Sequence, residues 1–171
     1  MLRIFFVFVV IFINFIFENT LLANTAFFGI SPNTAIIVIV SFAVMRQEYE
    51  GAIIGFIIGL LVDILFGNVV GLNALFYMLI GFLAGKPFKE FYLENYVLPF
   101  LLVGIFTILY NFFYYIINFL FRARLDLASY FLRIILPETI INIIITVPIY
   151  CILFLVNYKI EKIENEKRKM F

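Results

Sequence analysis

Residues 51–85 read GAIIGFIIGLLVDILFGNVVGLNALFYMLIGFLAG. Two apolar runs, 51–66 and 69–85, flank Gly67-Asn68, a turn-forming pair. At 1.5 Å per residue the first run covers about 24 Å, short of a hydrocarbon core of roughly 30 Å. The two runs are therefore helices enclosed in a bundle or the arms of a re-entrant hairpin. Seven of the chain's nine glycines lie here: Gly51, Gly55, Gly59, Gly67, Gly71, Gly81 and Gly85. The first three repeat at four-residue spacing, and Asp63 continues the series. Residues four apart share a helix face, and small ones there let backbones approach closely. Packing of this helix against its own neighbours is the first reading. A groove that receives a partner's helix is the second.

The same apolar character extends through the chain. Of 171 residues 65% are hydrophobic and 13% charged, against roughly 25% charged in a soluble domain. So few charges cannot clothe a water-facing surface, and with a mean hydropathy of +1.15 the outer solvent is lipid. Apolar runs at about 4–22, 31–45, 51–66, 69–85, 97–121 and 133–157 predict six transmembrane helices. The fold class is an all-α integral membrane protein, a compact helical bundle over residues 1–157 with a short charged tail, 158–171. The first run follows Arg3 and has no small-x-small cleavage site, so it reads as a retained helix rather than a leader.

Lys and Arg counts set the orientation. With the N-terminus inside, the cytoplasm receives Arg3, Arg46, Lys86, Lys89, Lys159, Lys162, Lys167, Arg168 and Lys169. The outside receives only Arg122, Arg124 and Arg133, so both termini are expected to be cytoplasmic. Glu18, Asp63, Asp126 and Glu138 then fall on the outer half with those three arginines. Isolated charges in lipid are unfavourable, so pairing among these groups is the expectation. Polar residues also form stripes. Glu138, Asn142 and Thr146 follow at four-residue steps in the last helix, and Thr107, Asn111, Tyr114 and Asn118 lie close to one face of the fifth. These stripes turn from lipid toward each other or toward a partner's helix. Pro148 stands mid-helix, where a kink is expected.

Catalytic chemistry finds no support in the sequence. There is no histidine, and no serine sits in a G-x-S-x-G turn. No P-loop or HExxH occurs, and Cys151 is the single cysteine. No enzymatic activity, cofactor or metal is expected. A net charge of +1 offers no surface to nucleic acid.

The block from Gly51 to Gly85 resembles the rod shape-determining protein MreD family, whose members show GxxxGFxxGLxxDxxxGxxxGxxAL. Gly55-Phe56, Gly59-Leu60, Asp63, Gly67, Gly71 and Ala74-Leu75 follow that pattern. Ser31-Pro32-Asn33 at the start of the second helix, and Asn142 with Pro148 in the last, are similar to the family too. Two positions depart: Ser31 stands where members often have Arg, and Asn73 where they often have His. The resemblance implies a multi-pass protein of the bacterial inner membrane that serves as a non-enzymatic scaffold of cell elongation. Its implied partners are an MreC-like membrane protein, the actin-like MreB, the peptidoglycan synthases of the lateral wall, and membrane lipid. Part of the MreC-like contact is expected on the Gly51/Gly55/Gly59/Asp63 helix. The alternative is a substrate-binding subunit of a vitamin importer, also a six-helix protein of this size, with a polar pocket on its outer face.

Overall fold

The structure is a computed structural model that describes residues 2–18, 31–67, 70–86, 97–119 and 127–169. Its helices are α1 (Leu2–Ile16), α2 (Thr34–Arg46), α3 (Glu48–Phe66), α4 (Leu72–Gly85) and α5 (Leu98–Phe119), then α6 (Leu127–Tyr130) and α7 (Leu136–Lys169). A π-helical turn, Phe131–Ile135, joins α6 to α7 without a break, so the helical runs among the described residues number six. No strand occurs among the described residues, and the fold is an all-α membrane bundle. Among the described residues three helices are long and apolar enough to cross a membrane, within Glu48–Phe66, Leu98–Ile117 and Ala128–Glu164. Arg3–Ile16, Thr34–Arg46 and Leu72–Gly85 are shorter apolar helices.

The start of the third helix and the end of the last differ from the sequence reading. The third helix begins at Glu48 rather than residue 51, because Glu48 and Glu50 are favoured in a first turn, near the positive end of the helix dipole. That lengthens it to 19 residues. The last helix does not stop at 157. It continues through Pro148 and the charged tail to Lys169, where Lys and Glu alternate at spacings that support helix.

The centre of the bundle is α2. Its sequence, TAIIVIVSFAVMR, is apolar on every side, the pattern of a helix with no face to solvent. All of its residues except Met45 are buried, and it touches α1, α3, α4, α5 and α7. A single residue, Gln47, links it to α3 and takes φ 83° and ψ 171°, a region that side chains rarely adopt.

Beside α2 the α3–α4 hairpin closes on its glycines. A Cβ built on Gly55 would stand 2.6 Å from the Tyr77 carbonyl carbon, and one on Gly59 would stand 2.5 Å from Ala74 Cα. Gly51 faces Gly81 and, across the hairpin, Ala43 of α2. Gly85 packs on the backbone of Gln47 and Glu48. As one helix ascends the other descends, and Gly55, Gly59 and Gly81 meet the facing helix backbone to backbone. Between lipid-facing helices such packing takes the place of a hydrophobic drive. The glycine face is thus filled from within the chain.

Candidate functional site

Asp63 lies in the last turn of α3 and is only 1% exposed. Its Oδ2 accepts the backbone N–H groups of Gly71 at 2.9 Å and Ala74 at 3.0 Å. Its Oδ1 accepts from Asn73 twice, from the backbone at 3.2 Å and from Nδ2 at 2.9 Å. These donors surround the N-terminus of α4, where N–H groups have no partner within their own helix and the dipole favours an anion. The turn that aims them depends on Gly71, held at φ 105°, where a Cβ would be strained.

From Asn73 the hydrogen bonds continue through the bundle. The Tyr110 hydroxyl donates to Asn73 Oδ1 at 2.9 Å, and its ring packs against Tyr77 with centroids 5.3 Å apart. Asn33 Nδ2 donates to the Tyr77 hydroxyl at 3.1 Å. Asn33 Oδ1 accepts from Ile36 N and so caps α2. The Asn33 backbone N–H donates to Asn142 Oδ1 at 3.0 Å, and Asn142 Nδ2 donates to Thr107 Oγ1 at 3.1 Å. This polar layer joins α2, α3, α4, α5 and α7 near one end of the bundle. Glu18, just beyond α1, takes a backbone hydrogen bond from Ala35 at the start of α2. Each of the two short inner helices therefore begins against an acid supplied by the helix before it.

The remaining sequence candidates fall around this layer. Glu138, Asn142 and Thr146 are buried along α7, and Asn111 and Thr107 are buried opposite them on α5. Asn111 meets Glu138 with its side chain and donates to the Thr107 carbonyl at 3.1 Å. The Thr146 hydroxyl bonds the Asn142 carbonyl at 2.6 Å within its own helix. The side chain of Asn118, and all of Arg122, Arg124 and Asp126, lie outside the described residues.

The expected pairing of Asp63 and Glu138 with outer arginines is not found among the described residues, and Arg133 is exposed. N–H donors surround the Asp63 carboxylate, and the Asn111 amide meets Glu138. Among the described residues the ion pairs gather at the opposite end of the bundle. Arg46, with a side chain 1% exposed, approaches Glu50 at 3.5 Å. Arg3 reaches Glu50 at 3.9 Å and Glu161 at 3.7 Å. Arg46 Nε donates to Asn157 Oδ1 at 2.8 Å, which ties α2 to α7, and its guanidinium lies 5.3 Å from the Phe42 ring centroid.

Sequence reasoning missed Tyr77, Tyr110, Arg46 and Asn157 as partners. The available signal was each polar group standing alone in an apolar run, which in lipid demands a partner. Among the described residues no three His, Cys, Asp or Glu side chains converge on a metal site. What the layer does chemically is satisfy buried polar groups and fix five helices relative to one another.

A family model described as rod shape-determining protein MreD matches residues 1–160. The chain belongs to the MreD family. It is therefore a membrane protein of cell-shape determination. Neither the curated proteins nor the solved structures give a match. In this MreD-family chain the glycines and aspartate of the motif are the contacts that close α3 on α4, with Asp63 as the latch.

Proposed function

We propose that the chain is a non-enzymatic, multi-pass scaffold of the bacterial inner membrane with both termini cytoplasmic. It binds an MreC-like membrane protein and so couples the MreB cytoskeleton to the peptidoglycan synthases of cell elongation. One observation carries the reading: the buried polar groups of the layer bond one another and hold the helices in fixed register. A rigid bundle with its polar groups turned inward presents its surroundings with helix faces, which suits a partner that is itself a helix in the membrane. The glycine face is closed by α4, so the partner lies on an outer face. The arginines and lysines on the Arg3–Arg46 end support a cytoplasmic placement of that end.

The test is depletion of the chain in a rod-shaped host together with affinity capture of the full-length tagged protein in mild detergent. Rounding of the cells and recovery of an MreC-like protein in the capture are expected. Cells that stay rod-shaped, with no such protein captured or cross-linked, would overturn the proposal.

A further inference from the structure

The two sides of the bundle differ in height. Helix α4 has 14 residues, a rise of about 21 Å, while α5 has 22, a rise of about 33 Å. A hydrocarbon core is roughly 30 Å thick, so α5 matches it and α4 is shorter by about a third. Hydrogen bonds fix the relative level of these helices. The Tyr110 hydroxyl reaches Asn73 at the start of α4, and from Tyr110 α5 continues to Phe119, about 14 Å farther. Likewise Asn142 meets Asn33 at the start of α2, while the helical run that carries Asn142 begins back at Leu127. The α5–α7 side therefore continues past the level at which α2 and α4 begin.

Polar groups bound the short side at both ends. At one end Glu48 and Glu50 occupy the first turn of α3, and exposed Lys86 closes α4 with its Nζ 4.9 Å from the Phe82 ring centroid. At the other, α3 ends at Phe66 and α4 is capped by Gly71. A helix ends with carbonyls that its own residues cannot serve, and such backbone does not face hydrocarbon, so this turn belongs at headgroup level. Between the two ends Leu75, Leu79 and Leu83 of α4 and Ile53 and Ile64 of α3 are exposed. That face is apolar, open and too short for an ordinary bilayer. Tilting a helix reduces its reach further, which leaves the lipid to adapt.

We propose that the α3–α4 face is a seat for phospholipids with short acyl chains and thins the bilayer on that side of the protein. Short chains bring the two headgroup layers to the two ends of α4. Longer chains must compress beside the face or draw its polar ends into hydrocarbon, and both are unfavourable. On the α5–α7 side no such constraint acts. The protein thus imposes a step in membrane thickness across its own width.

The chain holds no tryptophan, so a single one introduced on either side reports the lipid beside it. Leu79→Trp on α4 and Ile144→Trp on α7, both at exposed positions, are reconstituted as full chains in vesicles of phosphatidylcholine. Brominated phosphatidylcholine quenches the fluorescence, and unbrominated dimyristoleoyl or dierucoyl phosphatidylcholine competes with it. At Leu79→Trp the short-chain lipid should compete about threefold better than the long-chain one. At Ile144→Trp that preference should be absent. Leu75→Trp, on the same face of α4 and more exposed, should repeat the Leu79→Trp result and decides if that variant does not fold. The same chain-length order on α4 and α7 would overturn the proposal. So would a lack of quenching at both α4 positions with every lipid, which would mean that protein covers the face.

Discussion

Asp63 accepts the backbone N–H of Gly71 at 2.9 Å, an acid at the end of one helix holding the glycine that begins the next. The bond closes a hairpin already pressed together along its length by glycines. With three further donors on the same carboxylate, an amide nitrogen in place of one oxygen leaves two of the four donors without an acceptor. Asp63→Asn should lower stability by about 1–3 kcal/mol, read as an earlier midpoint in detergent unfolding of the purified chain. An unchanged midpoint would mean that the turn re-forms without the carboxylate.

Glycine is required to different degrees along the bundle. At Gly55 a methyl group would meet the Tyr77 backbone, which cannot move aside without parting the helices. At Gly104 of α5 it would meet the end of the Ile143 side chain at 3.1 Å, which can rotate. Gly55→Ala should therefore cost about 2–3 kcal/mol by overpacking. Gly104→Ala should fall within about 1 kcal/mol of the parent, since alanine's helix preference offsets the contact. Thermal midpoints of the two variants, measured side by side, check the ranking.

Gln47 adopts a backbone conformation suited to glycine, at φ 83° between two helices with no other linker residue. Gln47→Gly relieves that conformation and should raise stability by about 1 kcal/mol. The gain should appear as a higher thermal midpoint with an unaltered helical circular dichroism spectrum. A lower midpoint would show that the glutamine side chain matters more than the strain.

The charges at the Arg46 end are unequal in value. Glu50 has a side chain 44% exposed, so Glu50→Gln should cost no more than about 1 kcal/mol. Asn157→Leu removes the 2.8 Å acceptor from a guanidinium that water cannot reach, and should cost about 2–3 kcal/mol. Chemical denaturation of both variants in the same detergent distinguishes them. If Glu50→Gln proves the more damaging, the ion pair with α3 rather than the amide of α7 is what secures Arg46.

Helix number and the Gly51–Gly85 motif were legible because lipid imposes long apolar runs and because glycine spacing survives in one dimension. The centrality of α2 was less so. Its unbroken apolar surface signals enclosure, yet in a membrane protein every helix is apolar and the contrast fades. The partners of Asp63 escaped for a different reason. An acid in lipid suggests a cation, but three of its donors belong to backbone, which carries no letter in a sequence. Tyr110 and Tyr77 read as two among ten tyrosines until the fold set their rings 5.3 Å apart. Arg46 and Asn157 are separated by 111 positions, too far for any spacing rule.

The enclosure of α2 also sets an order of events during synthesis. This helix leaves the ribosome second, but Asn33 at its start finds its acceptor on Asn142, and Arg46 at its end finds its own on Asn157. Until the final helix has been translated, both ends of the central helix remain without those partners in the bilayer. A chain cut short after α5 would therefore be unfinished at its centre rather than at its edge. In such a protein the last helix made is the one that certifies the second.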